Sequence, residues 1–179
     1  VQGRHNVANA LAGAALASTL NVDLDAIRTA LQTFRPLAHR CELVRTHGTV
    51  RWINDSKGTN VGACIAAIEG LAPDGPIVLI AGGLGKGADF RPLAAAADGR
   101  VRAAVLIGRD AREVEQGLAG VCSVVHAASL EDAVDAAHQL AEPGGCVLFS
   151  PACASFDMFD NFVERGRAFS RIVTAALTS

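Results

Sequence analysis

The sequence contains no uninterrupted apolar stretch longer than the five residues Ile77–Ala81, against the roughly 20 that a membrane-spanning helix needs. No part of it is expected to cross a bilayer. An excess of one charge is missing too: 16 Lys and Arg stand against 18 Asp and Glu, a formal charge of −2 with no block of like charge. A surface for nucleic acid or for an anionic membrane is therefore not expected. The five cysteines, Cys41, Cys64, Cys122, Cys146 and Cys153, are odd in number and form no C-x-x-C pair. They read as free thiols of a reducing, cytoplasmic compartment rather than as a disulfide framework. The five histidines show neither H-x₃-H nor H-E-x-x-H spacing, which argues against a zinc site, and no metal ligand is assigned. No basic segment followed by an apolar one opens the chain, and there is no initial Met. No secretory signal is visible, and the chain is expected to be a fragment of a longer protein.

What is present suits a globular domain. At 179 residues, half of them apolar and 19% charged, the chain is the size of one ordinary domain and too apolar for a disordered linker. Folding at this length removes about 70% of the unfolded chain's accessible surface, so neither disulfides nor a metal is needed for stability.

Helical spacing of Val7, Leu11, Ala14 and Ala15, and of Leu24, Ile27, Leu31 and Phe34 after Asp23, predicts two leading helices. Arg35-Pro36 ends the second, and a domain boundary is expected there. Alternating runs at Cys41–Thr46 and Val50–Ile53 predict a hairpin turning at His47-Gly48-Thr49. Buried strands are then expected at Ile77–Ala81 and Ala103–Ile107, and further strands at Val121–Val125 and Cys146–Phe149. Helices starting near Asn60, Arg91, Asp110, Leu130 and Asn161 alternate with them, and in the last of these Phe162, Phe169, Ile172 and Val173 are expected to face inward. The pattern is α/β: a mostly parallel sheet with helices on both faces.

Such sheets bind ligands beyond the carboxyl ends of their strands, so the loops there carry the candidate residues. In Asn54–Asn60, Asp55 and Lys57 place opposite charges two residues apart, which no turn requires, whereas Thr59 is explained as the N-cap of the next helix. In Gly82–Gly87, backbone N–H groups and Lys86 can approach an anion, although a plain turn with a solvated lysine explains the same residues. The loop is not a Walker A motif, since Ile80 stands at its first glycine position and Gly87 where Ser or Thr holds Mg²⁺. Ser155 lacks a G-x-S-x-G elbow, and no His is spaced to activate it or Cys153, so covalent catalysis is set aside. Asn6 and Asn9 on one helix could read a base edge, or Asn6 could be a plain N-cap.

Taken together, Gly3-Arg4-His5-Asn6-Val7-Ala8-Asn9, His39-Arg40, the run Trp52 to Asn60 (W-I-N-D-S-K-G-T-N), Gly82-Gly83-Leu84-Gly85-Lys86 and Ser150 to Ser155 (S-P-A-C-A-S) resemble the Mur ligase family. The likeness runs in order along nearly the whole chain. Its most discriminating piece, N-D-S-K-x-T-N, resembles the branch that adds D-glutamate, because ligases adding other amino acids usually carry Tyr, His or Asn with Pro there.

The resemblance implies a three-domain ATP-dependent amide ligase of peptidoglycan precursor synthesis. It would join D-glutamate to UDP-N-acetylmuramoyl-L-alanine through an acyl phosphate. Residues 1–36 would be the last helices of a central ATPase domain and residues 37–179 a Rossmann-like ligase domain. The P-loop and most Mg²⁺ ligands would lie in domains not represented in this chain, which is expected to be inactive alone. By matched position Asn6 and Asn9 would approach adenine, Asp55 the ribose and Arg40 the ATP phosphates. Lys86 and Thr59 would hold the α-carboxylate of D-glutamate, and Ser155 with the backbone of Phe162 its side-chain carboxylate. Lys57 would face the acyl phosphate, as a catalytic group with Arg40. Gly58, Leu84, Gly87 and Phe156 depart from the family's usual residues, and Gly87 is expected to loosen the turn that aims Lys86.

Two other readings remain open on the residues alone. One is a dinucleotide-binding oxidoreductase domain, from the formal match of Gly83, Gly85 and Ala88 to G-x-G-x-x-A. The other is a non-catalytic nucleotide-binding module.

Overall fold

The computed structural model describes residues 4–33 and 37–177, with backbone only for residues 4–6 and Pro73. In chain order the elements are α1 (Arg4–Thr19), α2 (Leu24–Thr33), β1 (Glu42–His47), β2 (Val50–Asn54), α3 (Val61–Leu71), β3 (Ile77–Gly82) and α4 (Pro92–Ala97). Then come β4 (Val101–Ile107), α5 (Ala111–Gly117), β5 (Ser123–His126), α6 (Leu130–Leu140), β6 (Cys146–Phe149) and α7 (Phe162–Ala176). The six strands form one sheet in the order β1-β2-β6-β3-β4-β5. Only the edge strand β1 runs antiparallel to its neighbour, which makes the sheet mostly parallel, as the periodicity predicts.

Both faces of the sheet are covered, which is why its central strands read as unbroken apolar runs. Because successive side chains in a strand point to opposite faces, each run divides between two cores. Ile53, Leu79, Ala81 and Leu148 pack with Ile68, Leu71, Leu93 and Val114 of α3, α4 and α5. Trp52, Val78, Ile80, Val147 and Phe149 pack with Ala133, Val134, Phe169 and Val173 of α6 and α7. Among the described residues no helix is long and apolar enough to cross a membrane.

This layering fixes where a ligand can sit. The chain leaves β3 for α4 on one face and leaves the adjacent β6 for α7 on the other. The diverging loops open a crevice at their carboxyl ends.

Four details differ from the sequence reading. The hairpin turns on Gly48-Thr49 alone, with His47 paired to Val50. The N-cap of α3 is Asn60, not Thr59: Asn60 has extended backbone and its side chain accepts from the Ala63 N–H at 2.9 Å, while the Thr59 N–H is drawn back to the Lys57 carbonyl at 2.8 Å. Phe162 is only half-buried, because its ring lies under the Lys57 ammonium rather than in the core. The face expected inward on α1 is largely exposed, with Leu11 at 64%. There α1 meets α2 and α3, and small residues Ala10, Ala14 and Ala17 line the groove between α1 and α2 instead of Leu11. The expected boundary at Pro36, and Phe34, fall outside the described residues.

Candidate active site

The loop after β2 is held from below. Asn54 is fully buried, and its Oδ1 accepts the Ser56 N–H at 3.0 Å. Its Nδ2 donates to the Gly166 carbonyl at 2.8 Å and to Ser170 Oγ at 3.0 Å, and faces His39 Nδ1 at 3.1 Å. Burial lowers the His39 pKa, against a smaller opposing effect of Glu42, whose carboxylate lies 3.7 Å from Nδ1. The His39 carbonyl in turn accepts the Lys57 N–H at 3.0 Å. Asp55 is buried with both oxygens engaged, one by the Cys41 N–H at 3.1 Å and the other by Ser150 Oγ at 2.7 Å.

Above this base lies a cleft of about 300 Å³ lined by Asn9, Arg40, Asp55, Lys57 and Asn60 among others. Four candidates named from sequence thus share one cavity although 48 positions separate Asn9 from Lys57. Arg40 and Lys57 are exposed cations at its rim. The side chain of the fourth nucleotide candidate, Asn6, lies outside the described residues.

The loop after β6 is stitched to both neighbours. Ala152 N–H donates to the Gly58 carbonyl at 2.9 Å, Gly82 N–H to the Pro151 carbonyl at 2.8 Å, and Leu84 and Ala154 exchange bonds at 2.9 Å. Gly83, at φ +129°, permits this approach: a Cβ there would run into the Ala154 carbonyl oxygen. Lys86 follows in a left-handed conformation, φ +54°, and its ammonium stands 5.1 Å over the ring of Phe156, next to the buried Ser155. The loops carrying Lys86 and Ser155 therefore meet across the crevice. At the head of α7, Asn161 caps the N–H groups of Val163 and Glu164, leaving the Phe162 N–H outside the cap.

Sequence reasoning passed over Arg165, which locks these loops together. It is 2% exposed. Its guanidinium donates to Ser56 Oγ at 3.1 Å, to the Ser56 carbonyl at 2.9 Å, and twice to the Cys153 carbonyl at 3.1 Å. Burial lowers its pKa to about 10, which leaves it charged at neutral pH. The signal was its place in the stripe Arg165, Phe169, Val173, where an arginine occupies a core position of an amphipathic helix. Asn54 and Asp110, both within loops already singled out, were given no role.

The thiols stand apart from the chemistry. Burial pushes Cys64 and Cys153 up to about 12 and Cys146 to about 11, and raises Cys41 further. None is a thiolate at neutral pH, so none is a ready nucleophile. Among the described residues no group of three or more His, Cys, Asp or Glu could hold a metal ion. These residues therefore offer Mg²⁺ no all-protein cage. The dinucleotide reading also lacks its acid: β4 ends at Ile107 and is followed by Gly108 and Arg109, and Asp110 beyond them turns to the Gly85 N–H at 2.7 Å.

Residues 39–153 match the family described as "Mur ligase, glutamate ligase domain". The UDP-N-acetylmuramoylalanine--D-glutamate ligase of Nitrosococcus oceani is 51% identical over 176 residues, which are 98% of this chain and 39% of that protein. The ligase of the same name from Legionella pneumophila is 53% identical over 175 residues, covering 97% of this chain and 39% of its own length. The chain thus spans about two-fifths of the curated relatives it matches. Among solved structures, MurF ligase from Thermotoga maritima in complex with ADP aligns over 99% of this chain and 40% of its own, with TM-score 0.71 at 15% identity. That likeness is one of fold. On the family match and the close relatives together, the chain belongs to the Mur ligase family, through its glutamate ligase domain.

Proposed function

We propose that this chain is the amino-acid-adding part of an ATP-dependent amide ligase that joins D-glutamate to UDP-N-acetylmuramoyl-L-alanine in peptidoglycan precursor synthesis. The observation that carries the reading is the convergence of Asn9, Arg40, Asp55 and Lys57 on one cleft, beside a second group, Lys86 and the loop of Ser155, at the neighbouring strand ends. Relatives about half identical bear the name of that ligase.

In this reading ATP lies in the first group. Asn9 and Asn6 take the adenine, Asp55 the ribose, and Arg40 the phosphates. The γ-phosphoryl group passes to the L-alanyl carboxylate, giving an acyl phosphate and ADP. The amine of D-glutamate then attacks the acyl carbon, phosphate leaves, the amine gives up a proton and the amide forms. Lys57 stabilises the charge on the transferring phosphoryl group, an effect of positioning rather than of proton transfer. Lys86 with Thr59 holds the α-carboxylate of D-glutamate, and Ser155 with the Phe162 N–H holds the side-chain carboxylate. Thr59 is available for this because Asn60, not Thr59, caps α3. The remaining domains, with UDP-sugar and Mg²⁺ sites, belong to the rest of the longer protein, and residues 1–36 are the last helices of its central domain.

The test is ADP release by the full-length protein given ATP, UDP-N-acetylmuramoyl-L-alanine and one amino acid at a time. D-Glutamate should support turnover, and L-glutamate and L-alanine should not. Turnover that ignores D-glutamate would overturn the reading.

A further inference from the structure

Lys86 occupies a backbone conformation that a side-chain-bearing residue adopts only when its surroundings enforce it. Its φ of +54° is followed by +73° at Gly87, and such a non-glycine position costs on the order of 1 kcal/mol. Glycine at position 87 removes the same cost from the second residue of the turn, so the turn is easier to hold than two ordinary residues would make it. Something must still hold it, because Lys86 and Gly87 are both exposed and nothing lies within 4 Å of where a Gly87 Cβ would be.

The holder is on the next strand's loop. Asp110 Oδ2 accepts the Gly85 N–H at 2.7 Å, and the Asp110 N–H donates to the Gly83 carbonyl at 3.0 Å. The same residue therefore grips the glycine loop at Gly83 and at Gly85, just before Lys86. Asp110 stands at the N-cap position of α5, where an aspartate side chain ordinarily caps its own helix. Here its side chain makes no cap bond. The ring of Phe90 closes the other side, where a Gly85 Cβ would come within 2.9 Å of it. The loop of Asp110 is itself anchored, since Asp157 Oδ2 accepts the Arg109 N–H at 2.8 Å, and Asp157 adjoins the Phe156 ring that Lys86 covers.

We propose that Asp110 is the positioning residue for Lys86: its carboxylate, diverted from helix capping, holds the left-handed turn that aims the ammonium at the carboxylate of the incoming amino acid. The inference rests on the assignment of Lys86 under the proposed function. It adds that affinity for the amino acid is set from the β4 loop, by a residue that does not touch the substrate.

The experiment uses the full-length enzyme with Asp110→Ala, Asp110→Asn, Lys86→Ala and the double variant Asp110→Ala/Lys86→Ala. Asp110→Ala should raise the KM for D-glutamate roughly tenfold, the low end for a hydrogen bond to a charged group, and leave the KM for ATP unchanged. Asp110→Asn, which retains an acceptor oxygen, should restore most of the affinity. Added to Lys86→Ala, Asp110→Ala should change the D-glutamate dependence no further, because its effect acts through Lys86. Hydrogen exchange of residues 82–88 should quicken in Asp110→Ala and not in Asp110→Asn. An equal rise in the KM for ATP, an undiminished effect in the Lys86→Ala background, or unchanged exchange in Asp110→Ala would each overturn the inference. Normal D-glutamate dependence in Lys86→Ala would instead overturn the functional assignment on which it rests.

Discussion

The guanidinium of Arg165 grips Ser56 from two sides, with Nε on the hydroxyl at 3.1 Å and Nη2 on the carbonyl at 2.9 Å. Since its other donors reach the Cys153 carbonyl, one side chain of α7 joins the loop of Lys57 to the loop of Ser155. Only the planar fork of arginine spans both at once.

Arg165→Lys should therefore destabilise the full-length protein, by about 2 kcal/mol, since the ammonium leaves several buried acceptors unpaired. Denaturant unfolding of the two proteins measures this. A lysine variant of unchanged stability would show that charge, not fork geometry, is what the position needs.

Lys86→Ala should raise the KM for D-glutamate roughly 10 to 150-fold, the equivalent of a charge-assisted hydrogen bond, and leave the KM for ATP nearly unchanged. Arg40→Ala should do the reverse, weakening nucleotide use through lost contact with the phosphates. Steady-state kinetics in each substrate separates the two, and an exchange of effects would mean the two subsites are transposed.

His39 makes stability depend on acid. Its pKa is lowered in the folded protein by burial, so as pH falls below about 6.5 the unfolded chain takes up the proton first. Stability should be full above that pH and decline below it until the folded state protonates as well. Protonation places a hydrogen on Nδ1 against Asn54 Nδ2, two donors 3.1 Å apart. The loop of Lys57, which hangs on the His39 carbonyl, should loosen with it. His39→Gln should remove this part of the acid loss. Unfolding measured from about pH 7.5 to about pH 5, with equal slopes for both proteins, would contradict the assignment.

None of the five cysteines is in a disulfide, and only Cys122 is not fully buried. In the native protein a thiol reagent should label Cys122 first, with the other four reacting only on unfolding, when the total should reach five free thiols. Early labelling of Cys41 would mean that the cleft opens widely in solution.

Periodicity alone was enough for the sheet and its helices, because a strand buried on both faces or a helix with one apolar face writes its environment into every residue. Cys146–Phe149 is a strand with the bounds expected. The candidate loops were legible for a related reason: a rule of topology, rather than any motif, said which connections lie at the carboxyl ends of strands. The sequence by itself also singled out Asp55 and Lys57, whose opposite charges no turn requires, and Lys86 in its glycine loop, while Arg40 was named through the family resemblance. What it left undetermined is everything that depends on contacts between distant positions. Whether Thr59 or Asn60 caps α3 turns on a backbone angle, and both residues are good caps. That Asn9 shares a cleft with Lys57, that Arg165 is a clamp rather than a surface charge, and that Asp110 serves the glycine loop instead of its own helix were decided only by the tertiary structure. A polar side chain's partner is whatever acceptor the fold carries within about 3 Å, and local sequence does not record that distance.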